Sequence, residues 1–275
     1  MLEAPDGLKP TSIYLYEASV TGTETALLAA AGAPGITEIR HAACEPHVVE
    51  LCEFLEQARA SASPARARRR FASKAARSCA APSTGCGATT SRPAAGRSSR
   101  PITGGEIEVR GARAEDMEVV AAVLKRMNIE CAMDGDVFRV EQSTPRAAGR
   151  ITTGLWPGFP SDLVSLVTVL ATQAEGRTLV HDWLYELRLF ALEQLSGMSA
   201  DLFLCDPHRI IVTGPQQLRG RPLDSRDLRS GMALIAAALA ADGQSRLVAA
   251  RNRGARLRTA GGAAAGARVR RSRRS

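Results

Sequence analysis

An internal repeat of about seventy residues constrains this chain more than any other feature. Gly35 precedes Ile-Thr-Glu-Ile, Gly105 precedes Glu-Ile-Glu-Val, Gly176 precedes Arg-Thr-Leu-Val and Gly243 precedes Gln-Ser-Arg-Leu, at spacings of 70, 71 and 67 residues. Three of these glycines follow alanine- and leucine-rich segments with helical spacing, at 23–33, 163–174 and 230–241. In 163–174 the residues Leu163, Leu166, Val167, Leu170, Ala171 and Ala174 form one apolar stripe, the mark of a helix buried on that face. A glycine just past such a helix is its expected terminator.

After each glycine the pattern shortens to a strand, then returns to a helical period at 45–56, 114–127 and 184–195. Two units continue into a strand pair: 129–132 with 137–141 across Asp134 and Gly135, and 201–205 with 209–213. Alternating strands and helices in a recurring unit predict an α/β fold built from repeats.

Two stretches break the pattern. Residues 57–100 hold ten basic residues and no acidic one, with no Leu, Ile or Val; residues 243–275 also hold ten basic and no acidic residues. Such composition cannot bury enough apolar surface to offset ordering entropy, so residues 57–100 and a tail at 248–275 are expected to be disordered. They also overwrite parts of units. A strand pair is due after Glu56, a first helix near 91–104, and a second helix after Gly243. Translation in a shifted reading frame of GC-rich DNA accounts for this better than an evolved linker would.

The charge of +8 invites a nucleic-acid reading. Its distribution argues against one: twenty of the 36 basic residues lie in those two stretches, leaving 16 against 28 acidic residues. The start is acidic and proline-containing, unlike a secretory signal, and the longest nearly apolar run, 232–241, is too short to span a bilayer. These features predict a cytoplasmic protein without a membrane span. The six cysteines form no CxxC pair and read as free thiols. His41, Cys44 and His47 straddle a strand-to-helix turn without a fourth ligand, so no metal is expected.

Counting back fourteen residues from three of the repeat glycines gives Thr21, Asp162 and Arg229, each at a polar helix start. Free backbone N–H groups and the helix dipole favour anions there. If the three starts converge, they suit a phosphorylated ligand, with Asp162 as a base and Arg229 as a clamp. The plainer alternative is that Thr21, Ser161 and Asp162 only cap helices and Asp227 only bridges Arg229.

Five segments carry a family resemblance. Ile13-Tyr14-Leu15 followed by Glu17-Ala18-Ser19-Val20-Thr21 looks like the entry to a substrate-contacting helix of the enolpyruvyl transferases. Ala42-Ala43-Cys44-Glu45-Pro46 resembles that family's "NAA-x-EP" turn. Pro157-Gly158-Phe159-Pro160-Ser161-Asp162 resembles its "PGFPTD". Tyr185-Glu186-Leu187-Arg188 with Leu195, Met198 and Ala200 resembles "FENRF…L…MGA", and Leu218-Arg219-Gly220 with Asp227-Leu228-Arg229 resembles "L-x-G…TDLRA".

The resemblance implies inside-out α/β barrels built from repeated units, incomplete in this chain. Residues 1–100 would end a first barrel and 101–247 would form most of a second. It implies carboxyvinyl transfer from phosphoenolpyruvate to UDP-N-acetylglucosamine for peptidoglycan precursor synthesis, or to the shikimate-phosphate acceptor of the sister branch. No cofactor is implied. Asp162 matches the base near the sugar 3-hydroxyl. Ser19, Val20, Thr21 and Leu184 match positions near the UDP-sugar. Arg188 matches the motif arginine, while Arg229 matches a phosphate- and carboxylate-binding arginine, with Asp227 near the same site. The family's active-site lysine and loop cysteine have no counterpart here, Cys44 stands elsewhere, and Glu17 replaces a common lysine. Absence of activity is therefore expected from these residues alone.

Overall fold

In the computed structural model, which describes residues 6–60, 106–186, 188–225 and 228–249, three repeat glycines share one conformation. Gly35, Gly176 and Gly243 take φ of 120°, 107° and 95°, a region that side chains with a Cβ rarely enter. Gly105 lies outside the described residues.

Each of these three glycines lies between the helix of a parallel strand–helix–strand unit and the second strand, or opens that strand as Gly176 does. Strand β1 (Ser12–Tyr14), helix α1 (Val20–Gly32) and β2 (Glu38–Arg40) form the first, with Ile13 opposite Ile39. The third is β6 (Gly149–Thr152), α4 (Val164–Ala171) and β7 (Gly176–His181), with Ile151 opposite Val180. The fourth is β10 (Pro222–Ser225), α6 (Leu228–Ala240) and β11 (Arg246–Ala249), with Leu223 opposite Leu247. The last two are entered alike: Pro145 and Ala147 bracket Glu175 by backbone hydrogen bonds as Leu218 and Gly220 bracket Asp242.

A second helix follows the later strand of a unit. In the first unit it is α2 (Pro46–Ala60); in the second, β3 (Ile107–Arg110) leads to α3 (Ala114–Arg126). An antiparallel pair then returns along the sheet. Strands β4 (Cys131–Asp134) and β5 (Val137–Val140) give the order β3-β5-β4, while β8 (Asp201–Asp206) and β9 (Arg209–Gly214) give β6-β7-β9-β8.

The repeat extends to single hydrogen bonds. Asn128 N donates to Lys125 O and Ile129 N to Leu124 O; seventy-one residues on, Ser199 N donates to Ser196 O and Ala200 N to Leu195 O. Asn128 and Ser199 both take positive φ, 58° and 71°, closing the same six-to-one helix end. Because Ile129 is spent on that cap, the strand expected at 129–132 starts at Cys131, and its turn falls on Gly135 and Asp136.

The expected helix at 184–195 is also revised. Residues 184–186 form a turn, Arg188–Glu193 is 3-10, and α5 is only Gln194–Gly197. Leu189, Leu192 and Leu195 are fully buried at a spacing of three, which matches the 3-10 repeat.

All eight residues of α4 are buried, so this helix lies inside, against β7, β9 and α6, with the sheet outside it. The larger core gathers Met117, Met127, Phe138, Ile151, Leu170, Leu195, Ile210 and Leu234; a smaller one holds Ala26, Leu27, Ile39, Ala43 and Val48. The sheets remain separate, and no closed barrel forms among the described residues. No described helix is long and apolar enough to cross a membrane.

Candidate functional site

The third unit builds a polar cluster around Asp182, the residue following β7. The side chain of Asp182 is fully buried. Its Oδ1 accepts from Thr153 Oγ1 at 2.8 Å and from Leu184 N at 3.3 Å, and its Oδ2 accepts from Ser161 Oγ at 2.5 Å. Three donors offset the cost of taking a carboxylate out of water. The donors come from three places: the end of β6, the 3-10 turn Ser161–Leu163 that leads into α4, and the turn after β7.

Ser161 Oγ also accepts from Arg188 Nη1, and the same nitrogen lies 3.4 Å from Asp162 Oδ1. The Arg188 side chain is 14% exposed and that of Asp162 is 37%, so the aspartate keeps an open side while the guanidinium is held. The Arg188 guanidinium carbon stands 4.1 Å over the Tyr185 ring, a cation–π contact that fixes it from a further direction. Trp183 Nε1 donates to Thr153 O at 2.7 Å, tying the segment after β7 to the end of β6.

The loop between Thr153 and Ser161 is set by close backbone crossing. Thr153 bridges Phe159, Gly154 N donates to Phe159 O at 2.9 Å, and a Cβ on Gly158 would stand 2.7 Å from Gly154 Cα and from Leu155 O. Only glycine fits at that crossing. Burial, then the Arg150 guanidinium, holds the His181 imidazole below its ordinary value.

Of the residues singled out in the sequence, the structure joins Asp162 and Arg188 directly and Leu184 through Asp182. Ser19 caps α1, accepting from Gly22 N at 3.2 Å, with Val20 and Thr21 in its first turn. The described hydrogen bonds of Ser19 and Thr21 stay within that region, and α1 packs in the smaller core. Helix α4 packs on α6. Arg229 lies in the first turn of α6 with its side chain outside the described residues, as is Asp227.

His41, Cys44 and His47 point to different partners: His41 Nδ1 to Leu15 O at 2.8 Å, Cys44 Sγ to Ala42 O at 3.6 Å, and His47 Nε2 to Glu24 at 3.8 Å. The reading by spacing missed Asp182 and Thr153. An aspartate ending the apolar strand Thr-Leu-Val-His was the available signal, since a buried strand rarely ends on an unpaired carboxylate.

A sequence model of the EPSP synthase (3-phosphoshikimate 1-carboxyvinyltransferase) family matches residues 2–252. The chain is 35% identical over 243 residues to the UDP-N-acetylglucosamine 1-carboxyvinyltransferase of Borreliella burgdorferi, covering 86% of this chain and 57% of that protein. It is 34% identical over 241 residues to the enzyme of that name from Treponema denticola, covering 85% and 56%. With the enzyme of that name from Bradyrhizobium diazoefficiens identity is 33% over 266 residues, covering 86% and 57%. The chain thus spans a little over half the length of these curated relatives. The crystal structure of the enolpyruvyl transferase NikO from Streptomyces tendae superposes with a TM-score of 0.70 at 19% identity, over 90% of this chain and 62% of that one, a likeness of fold.

Proposed function

The chain belongs to the enolpyruvyl transferase family, and from that premise we propose that it is by descent a UDP-N-acetylglucosamine 1-carboxyvinyltransferase. The observation that carries this reading is the cluster at Ser161, Asp162, Arg188 and Asp182, which holds a partly open carboxylate beside a fixed guanidinium. In the proposed reaction the sugar 3-hydroxyl adds to C2 of phosphoenolpyruvate while Asp162 takes the hydroxyl proton and C3 gains one, and the tetrahedral adduct then loses phosphate together with a proton from C3 to leave the enol ether. Leu184, with Ser19, Val20 and Thr21, would face the uridine-nucleotide sugar; Arg188 and Arg229 would face the anionic groups, with Asp227 near the same site. Residues 1–100 would close one inside-out barrel and 101–247 would form most of a second. The reading assigns a cytoplasmic step of peptidoglycan precursor synthesis.

The 275 residues by themselves are proposed to bind without turning over. Counterparts of the family's lysine and loop cysteine are not among them, and loss of one preorganised charge contact commonly costs about 10²–10³ in rate. Phosphate release that needs both substrates and disappears in Asp162→Asn would contradict this half of the proposal.

The rival within the family is the acceptor named in the matching family description, 3-phosphoshikimate. Calorimetric titration of the full chain separates the two. UDP-N-acetylglucosamine is expected to bind and shikimate 3-phosphate to give no heat; the reverse pattern moves the chain to the other branch.

A further inference from the structure

We propose that Asp182 is the positioning residue of this site: it holds Arg188 and Asp162 in place through the hydroxyl of Ser161, and Leu184 directly. The inference deepens the functional reading above and rests on it for the ligand. The geometry stands without it.

A hydroxyl has one proton to give and lone pairs to receive. Ser161 Oγ lies between the Asp182 carboxylate and the Arg188 guanidinium. An ionised carboxylate accepts only and a guanidinium donates only, so the direction of both bonds is fixed: Arg188 to Ser161 to Asp182. The acceptor character of Asp182 thereby turns the Ser161 lone pairs toward Arg188. Arg188 in turn lies beside Asp162, the carboxylate with an open side.

The backbone of Asp182 is clamped as firmly as its side chain. Its N–H donates to His208 O at 2.8 Å, and its carbonyl oxygen lies 2.7 Å from His208 Nδ1. The anchor is therefore tied, just past the end of β7, to the hairpin turn between β8 and β9, while the groups it orients lie on neighbouring turns. A role in packing alone would be served as well by an apolar side chain, without the cost of desolvating a carboxylate. Here two of its three donors border a site residue or are one, since Ser161 precedes Asp162 and Leu184 is itself a candidate contact, and the third, Thr153, anchors the loop that reaches Ser161.

Asp182→Asn separates orientation from packing because its shape is unchanged. The remaining amide oxygen can keep Thr153 and Leu184, which places the amide NH₂ against Ser161 as a donor. The Ser161 proton then has no acceptor at position 182, and the oxygen must accept from the amide as well as from Arg188, so the link to Arg188 is weakened. Ser161→Ala cuts the same link while leaving Asp182 its bonds to Thr153 and Leu184.

The test is a nitrogen-15 arginine spectrum of the full chain without ligand, followed by titration with UDP-N-acetylglucosamine. In the native chain the Arg188 Nε–H signal is expected to be sharp and shifted by the ring current of Tyr185. In both variants it is expected to shift and broaden away from its native position, further in Ser161→Ala than in Asp182→Asn, with the methyl signals of Met117 and Met127 unchanged. Affinity is expected to fall about tenfold or more, the change when one charge-assisted hydrogen bond is lost. An unchanged Arg188 signal in either folded variant overturns the proposal, and if Asp182→Asn fails to fold, Ser161→Ala decides. Failure of the native chain to bind the nucleotide sugar overturns the functional reading instead, and the ligand-free Arg188 signal still decides the role of Asp182.

Discussion

The third unit and the first begin alike and end differently. Both pair two strands in parallel around a helix that ends before a positive-φ glycine. In the third, β7 is flanked by β6 on one edge and β9 on the other; in the first, β2 pairs only with β1 among the described residues. The second unit shows what an antiparallel pair adds. Under β4 and β5, residues Val120, Val123, Leu124 and Met127 of α3 and its cap are 5%, 6%, 4% and 0% exposed, whereas Phe54 on α2 is 65% exposed. The strand–helix–strand part is a local event; the returning strand pair turns it into a core.

The largest expected effect tests that contrast by truncation. Phe138 of β5 is fully buried, and Phe138→Ala should cost about 3–5 kcal/mol in urea unfolding. Phe54→Ala on α2 should stay within about 0.5 kcal/mol. Equal costs would mean that α2 is as well covered as α3.

A second effect lies in exchange rates. Val180 of β7, between two strands, is expected to exchange its amide hydrogen roughly 10²-fold more slowly than Ile39 of β2, because opening energies follow local burial and pairing. Matching rates would show that the first unit is closed by groups outside the described residues.

The smallest effect concerns the link between the two cores. Arg113, just before α3, reaches Glu50 of α2 at 3.4 Å and Asp116 at 3.5 Å, with Glu115 at 4.0 Å. Burial raises the Asp116 carboxyl above its ordinary value; Arg113 opposes this, and Glu50 and Glu115 add to it. A folded-state value above the unfolded one means that stability is full at low pH and falls as pH rises from about 3.8 through the raised value. Asp116→Asn is therefore expected to gain stability relative to the native chain as pH climbs from about 4 to 7, with the gap closing below that range. Melting curves across that range check the sign; a variant that loses ground with rising pH would mean that the Arg113 pair outweighs burial.

The sequence was most legible where local signals coincide. Glycine, stripe and strand recur at one period, and the units of β1, β6 and β10 follow from them. Legibility failed where tertiary contacts override local preference. The stretch 184–195 carries a helical stripe, yet Leu184 is bound to Asp182 and Arg188 to Ser161, so its first turn is pulled out of the helix. Asp162 and Arg188 were visible by motif, but their joining depends on Asp182, which no spacing marks. The strand pair due after Glu56, the helix due near 91–104 and the elements due after residue 249 lie outside the described residues, as do Asp227 and the side chain of Arg229.

We propose that the third unit carries a preformed site for a uridine-nucleotide sugar. Hydrogen exchange of the full chain with and without saturating UDP-N-acetylglucosamine, read by peptide, tests it most directly. New protection is expected at 153–163, at 181–189 and at the start of α6, with 129–141 unchanged. Protection confined to other segments, or none at all under conditions where the ligand is shown to bind, would contradict the account.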